Sequence, residues 1–129
     1  MSLAALVDKY LPMQPSALQA AVNGLDQPSL DKAIFEEVFG NTGDPKAFST
    51  THDLADIVIA DLYAKRLITS ASVSIDNGSG GHAGLLYNCV MARPVSGAAA
   101  DGYHQFEMFG RSFPRAICRA ALLVVRSKS

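Results

Sequence analysis

Residues 114–128, PRAICRAALLVVRSK, carry the most informative pattern in this chain of 129 residues. Pro114 suits the first turn of a helix, and at 100° per residue Arg115, Arg119 and Arg126 fall on one narrow stripe. Apolar side chains cover much of the remaining helix surface. Because a helix this apolar needs more than one partner surface, we expect it to pack on a sheet and also on another helix or a second protomer.

The residues that precede this helix predict a three-stranded antiparallel sheet. Residues 70–76 alternate serine with apolar residues, a period of two that is typical of a half-buried strand. The stretch 78–84, GSGGHAG, follows an Asn-Gly pair and is interpreted as a hairpin turn, because a phosphate-binding loop needs a helix after it. Further strands are expected at about 84–93 and 103–109, separated by a loop of small residues.

Helices are predicted upstream of the sheet. Ser29 is expected to cap a helix over 30–39, and Gly40 is expected to end it. A longer helix with one broad apolar stripe is expected after the two threonines at 50 and 51, ending near Arg66.

The N-terminal part of the chain predicts two short helices, because prolines at 12 and 15 interrupt an apolar helical pattern. We therefore expect an N-terminal helical extension over 1–28 and one domain over 29–129. The extension could clasp its own domain or a second copy. The expected fold class is α+β.

Three segments resemble, in order and spacing, the phage ABA sandwich domain family, whose members are small proteins of phages and prophages. They are LDKAIFEEVFG at 30–40, FSTTHDLADIVIADLY at 48–63 and FGRSFPRAICRAALLVV at 109–125. The resemblance implies a sheet layered between helices, an α/β/α sandwich, and a phage or prophage origin. It implies no reaction, and no catalytic residue is carried over.

Composition excludes several classes of protein. With 49% hydrophobic residues, 18% charged residues and a net charge of −1, the chain is neither a disordered tail nor a strongly basic arm. No apolar run reaches the roughly 18–20 residues of a membrane span. Cys89 and Cys118 are expected to be reduced and buried thiols, and the absence of a leader-like N-terminus predicts a cytoplasmic protein. The resemblance implies that the cytoplasm is that of a bacterial host.

Charge is distributed unevenly along the chain. Residues 1–64 hold three basic and nine acidic residues, a net charge of −6, whereas residues 65–129 hold eight and three, a net charge of +5. The halves should attract each other, within one molecule or between two. The basic half could also meet phosphate or an acidic partner. The candidate contacts for an anion or partner are Arg111, Arg115, Arg119 and Arg126.

The possible catalytic and metal-binding groups all have simpler interpretations. His82 and His104 could meet across two strands near Glu107, but a zinc site needs three or four converging ligands. His104 could also activate Cys89, although a buried thiol is the expectation. The acidic residues of the helix after residue 51 are interpreted as a dipole partner, Asp53, and a solvated face, Asp56 and Asp61. We predict no catalytic set, no cofactor and no metal.

These observations predict a small, non-enzymatic phage or prophage accessory protein that binds a protein partner or itself, away from membranes. The alternative is nucleic-acid binding through Arg111, Arg115 and Arg119, since helix, three strands and helix is also the element order of a double-stranded-RNA-binding domain. A third hypothesis is a hydrolase or transferase that uses Cys89, His82 or His104.

Overall fold

The computed structural model of this chain describes residues 16–76, 86–94 and 103–127. The predicted first helix, the hairpin turn at 78–84 and the loop of small residues before the third strand lie outside these ranges. Four α-helices and three strands form within them, together with one π-helical turn. In chain order they are α1 (Ser16–Asn23), α2 (Gln27–Ala33), the π-helical turn (Ile34–Val38), α3 (His52–Ala64), β1 (Ser70–Asp76), β2 (Leu86–Pro94), β3 (Tyr103–Gly110) and α4 (Phe113–Arg126).

The three strands form one antiparallel sheet in the order β1-β2-β3. Val73 of β1 lies opposite Cys89 of β2, and Cys89 lies opposite Met108 of β3. Since paired residues share a face, these three side chains point to the same side of the sheet. The predicted α+β class and the three antiparallel strands are confirmed.

Helix α4 forms the centre of the molecule. It packs on β2 and β3 with one side, and α1, α2, the π-helical turn and α3 pack on its other sides. The helix is therefore buried nearly all round, as its apolar sequence requires. Its buried residues are Pro114, Ala116, Ile117, Cys118, Ala120, Ala121, Leu122, Leu123 and Val124.

The described ranges show which side of the sheet the described helices occupy. Within the described ranges the layers run from the sheet through α4 to the other helices, and no described helix packs extensively on the far face of the sheet. That face carries Ser72, Ser74, Gln105 and Glu107, all exposed. The described helices lie on one side of the sheet because the apolar surface of α4 is wide enough to pack on the sheet and on the other helices at once.

Helix α2 begins earlier than the sequence predicts. Its N-cap is Asp26, whose carboxylate accepts a hydrogen bond from the Ser29 backbone N–H at 2.9 Å, so Ser29 lies inside the first turn. Hydrogen bonding to the Ser29 side chain, and to a smaller extent to its backbone N–H, lowers the pKa of Asp26. Pro28 fits there because the first turn of a helix leaves its N–H groups without partners. The prediction of Ser29 as the cap was wrong for this reason.

The π-helical turn that follows α2 was not predicted. It closes with a hydrogen bond from the Phe39 N–H to the Ile34 carbonyl at 3.3 Å, a span of five residues. The predicted stop at Gly40 is confirmed, since Gly40 has a φ of +69° and the Asn41 N–H returns to the Phe35 carbonyl at 3.0 Å. This left-handed geometry favours glycine.

Helix α3 follows the prediction closely. Thr51 is its N-cap, and Arg66 adopts the left-handed conformation just after its end, with a φ of 58°. Ala55, Val58 and Leu62 are completely buried against the core. The broad apolar stripe therefore marks the face that packs on α4.

The described part of the predicted N-terminal extension shares the core of the domain. Val22 of α1 is completely buried, and α1 packs on α4. Helix α2 spans the boundary that the sequence predicts between residues 28 and 29. In the described ranges, no helix has both the length and the apolar composition needed to span a membrane.

Candidate functional site

The predicted basic stripe is largely occupied by contacts within the molecule. The Arg119 guanidinium donates to the Phe109 carbonyl at 2.7 Å, and its Nε atom is buried without a hydrogen-bond partner. Burial, with a smaller contribution from the nearby charge of Arg115, lowers the pKa of Arg119. Arg115 donates to the Gln27 side chain at 3.3 Å. These two arginines therefore connect α4 to β3 and to α2.

The third arginine of the stripe, Arg126, joins the oppositely charged halves of the chain. Arg126 donates from Nε and Nη2 to the two carboxylate oxygens of Glu37, each at 2.9 Å. Hydrogen bonding to Glu37 raises the pKa of Arg126. The predicted attraction between the halves thus acts within one molecule at this pair. Arg111 is exposed, and it makes no hydrogen bond or ion pair in the described part of the chain.

The two cysteines form no nucleophilic site. Both are free and completely buried, as predicted. Burial raises the pKa of the Cys89 thiol to about 12. Burial, together with the nearby Asp31 and Cys89, raises the pKa of Cys118. Both thiols are therefore protonated at neutral pH, and the thiolate is the reactive form.

The sheet register separates Cys89 from His104. Cys89 lies opposite Met108, whereas His104 lies opposite Arg93, four residues further along β3. At about 3.3 Å per residue this offset is roughly 13 Å along the strand. The hypothesis of a Cys89–His104 pair was wrong. The sequence indicated that the two residues lie on neighbouring strands, but it did not indicate how those strands align.

The histidines and aspartates assemble no metal centre in the described ranges, where no group of three potential ligands is present. His82 lies outside those ranges. Asp53 occupies the first turn of α3, as predicted, and Asp56 is exposed. Asp61 instead pairs with Lys65 one turn later, at 2.7 Å.

A cavity of about 110 Å³ opens between the π-helical turn, the loop after it and α3. Its apolar wall is built by a group of three phenylalanines, with Phe39 stacked on Phe48 at a centroid distance of 5.2 Å and Phe35 tilted against Phe48 at 6.2 Å. The complete lining is Phe35, Phe39, Asn41, Lys46, Phe48, Leu54 and Ile57. We call this feature the phenylalanine cavity.

Local structure holds the phenylalanine cavity open at the surface. Phe35 lies in the π-helical turn and Phe39 directly follows it, about one turn later, so both rings reach the same side and line the cavity. The loop end is fixed by the buried carboxylate of Asp31, which accepts a hydrogen bond from the Ser49 N–H at 2.8 Å. Phe48, next to Ser49, is consequently buried and forms the floor of the cavity.

The rim of the cavity combines one exposed apolar side chain with one cation. Ile57 is 51% exposed, which is high for an isoleucine on a helix that packs in a core. Lys46 is exposed and forms no ion pair in the described part of the chain. The sequence patterns did not indicate this cavity, although Ile57, an apolar residue outside the apolar stripe of α3, was the available signal.

No protein-family model, curated protein or solved structure matches this chain.

Proposed function

We propose that this protein is a non-enzymatic module that binds a protein partner by accepting one of its aliphatic side chains in the phenylalanine cavity. The observation that carries the proposal is this open, apolar cavity with Ile57 exposed at its rim. Buried apolar anchors that fill pockets supply much of the affinity of protein interfaces. The resemblance described above supports a phage or prophage accessory role in the cytoplasm of a bacterial host.

The size of the cavity favours a side chain over a cofactor or a free metabolite. Sites for small molecules usually enclose about 300–1,000 Å³, and a cavity of roughly 150 Å³ holds a benzene ring. At about 110 Å³, the phenylalanine cavity matches a leucine, isoleucine or valine side chain. An aliphatic anchor presented by a protein fits this volume.

The charge at the rim predicts what accompanies the anchor. Lys46 lines the cavity and has no carboxylate partner among the described residues. An aspartate or glutamate next to the aliphatic residue would meet this ammonium group at the edge of an apolar contact. We therefore expect the partner segment to combine one aliphatic and one acidic residue.

The alternative, nucleic-acid binding through the basic stripe, has less support from the geometry. Phosphate contacts need guanidinium groups that reach solvent, and Arg115, Arg119 and Arg126 are all bonded within the molecule. Arg111 alone of the four is exposed without a described partner. A single exposed arginine supplies little of the charge that nonspecific binding requires.

A random peptide library displayed on yeast and selected against the purified protein tests the proposal. We expect enriched peptides that share an aliphatic residue beside an acidic one. Ile57→Asp should weaken their binding at least about tenfold, because a carboxylate would face the apolar anchor. Lys46→Glu should weaken it too, and the loss should shrink at high salt.

Tyr63→Asp is the matched control, because Tyr63 is another large exposed residue of α3, 43% exposed, and does not line the cavity. It should leave peptide binding unchanged. Peptides that bind the wild type and Ile57→Asp equally would refute the proposal. Salt-dependent binding of short duplex RNA or DNA that Arg111→Glu abolishes would favour the alternative instead.

A further inference from the structure

Strand β1 is an edge of the sheet that no described element covers. It pairs with β2 on one side only, and β3 occupies the other edge of the sheet. An edge strand presents a row of unpaired backbone N–H and C=O groups, which proteins usually protect with charges, prolines or bulges. The only charge in β1 is Asp76 at its C-terminal end, and residues 70–75, SASVSI, contain neither a charge nor a proline. Among the described residues, the edge is therefore open to pairing over 70–75.

The apolar side chains of β1 lie exposed on the face that α4 covers elsewhere. Val73 is 44% exposed and Ile75 is 54% exposed. Their partners in the register, Cys89 and Tyr87, lie on the face that packs on α4. Helix α4 packs on β2 and β3 but does not extend over β1. Two large apolar residues consequently remain in solvent beside the core.

The sequence of β1 complements itself when two copies pair antiparallel. A two-fold axis at Val73 places Val73 opposite its own copy, Ala71 opposite the Ile75 position and Ser72 opposite the Ser74 position. All six apolar side chains then lie on one face, and the serines lie on the other. Between residues 70 and 75 no like charges oppose each other, because the segment has none.

The geometry leaves room for both copies of α4. Helix α4 lies over β2 and β3, about two strand spacings, or roughly 10 Å, from the axis. The two α4 axes would then be about 20 Å apart, and helices of about 10–12 Å diameter do not overlap at that distance.

We propose that the protein forms a homodimer in which two β1 strands pair antiparallel about Val73 and the two sheets become one six-stranded sheet. A second copy is the partner of this edge, because in the self-pairing register apolar residues lie opposite apolar residues and serine lies opposite serine. No two like charges oppose each other over 70–75. This interface is separate from the phenylalanine cavity, so either proposal can fail without the other. Because pairing of a single strand buries little surface area, we expect a weak dimer whose population depends on the protein concentration.

Sedimentation velocity from about 1 µM to about 1 mM tests the dimer. We expect the wild type to shift from monomer to dimer, also at high salt, since the contact is apolar. Val73→Lys should remain monomeric, because two ammonium groups would oppose each other at the axis. Tyr63→Lys, which changes a similarly exposed residue of α3, should dimerise like the wild type. A wild type that stays monomeric throughout would refute the proposal.

Oxidative cross-linking tests the register without relying on a loss of association. Val73→Cys should form an intermolecular disulfide, because the residue faces its own copy. Ile75→Cys is the matched control on the same face, where the two copies lie four residues, or about 13 Å, out of register. Both variants are made in a Cys89→Ala background, because Cys89 lies directly opposite position 73 on β2 and would compete as an intramolecular disulfide partner. The remaining native thiol, Cys118, is buried and should not react. Equal cross-linking of both variants would overturn the register.

Discussion

Gly110 lies where the end of β3 comes closest to the start of α4. A Cβ atom added at this glycine would lie 2.8 Å from the Ala116 backbone nitrogen and 3.1 Å from the Arg115 Cβ. The Ala116 N–H also donates to the Ser112 carbonyl at 3.0 Å, so this nitrogen is part of the helix start. The contact therefore involves backbone that cannot move without disturbing the first turn of α4.

Gly110→Ala should destabilise the protein by about 1–3 kcal/mol, because the new methyl group overlaps this backbone. Denaturant unfolding followed by circular dichroism measures the change. Ser72→Ala, at an exposed position of β1, is the control and should alter the unfolding free energy by less than about 0.5 kcal/mol. Equal stability of Gly110→Ala and the wild type would contradict the close approach.

Two elements far apart in the sequence, the π-helical turn and α4, are joined by one ion pair. Glu37 and Arg126 form a two-pronged contact, with side-chain exposures of 35% and 27%. A second pair, Lys32 with Glu36, lies within one helical segment at 4.0 Å and is more exposed, at 65% and 43%. Geometry and exposure both favour the first pair as the stronger interaction.

A double-mutant cycle with Glu37→Gln and Arg126→Gln should give a coupling energy of about 0.5–1 kcal/mol that falls as salt is added. The cycle with Lys32→Gln and Glu36→Gln should give almost none. Chemical denaturation of the four variants of each cycle provides the measurement. Equal coupling energies in the two cycles would show that the two-pronged geometry contributes nothing.

The two buried thiols lie in the core between the sheet and α4, which is the main packing contact of the molecule. Cys89 belongs to β2 and Cys118 to α4, and both are completely buried. Since burial raises the pKa of both thiols, the folded state keeps them protonated at a pH where the unfolded chain ionises them. The stability that they contribute is complete below about pH 9 and is lost as the pH rises towards 12.

The free energy of unfolding should therefore fall above about pH 9, with a contribution of up to roughly 1.4 kcal/mol per pH unit from each thiol. Other groups titrate in this range, so the informative quantity is the difference from the double variant Cys89→Ala/Cys118→Ala. That variant should be less stable at pH 7 and should show a shallower slope above pH 9. Parallel pH profiles would contradict the prediction.

Most of the described helices and strands follow from sequence patterns, because periodicity and capping residues act locally. The apolar breadth of residues 114–128 required two partner surfaces for α4, and the structure supplies the sheet and the other helices. The alternation over 70–76 correctly predicted β1. The sequence pattern over 30–39 did not predict the π-helical turn, because a π turn is only a small change in hydrogen bonding within a helix.

Long-range packing sets which of these surfaces remain exposed to solvent. The alternation in β1 indicated that Val73 and Ile75 share a face, but α4 leaves that part of the face exposed. The sequence placed the arginines of α4 on one stripe. It did not indicate that Arg126 forms an ion pair with Glu37, which is 89 residues away in the chain. Local patterns fix which side chains share a face, whereas long-range packing fixes what covers that face.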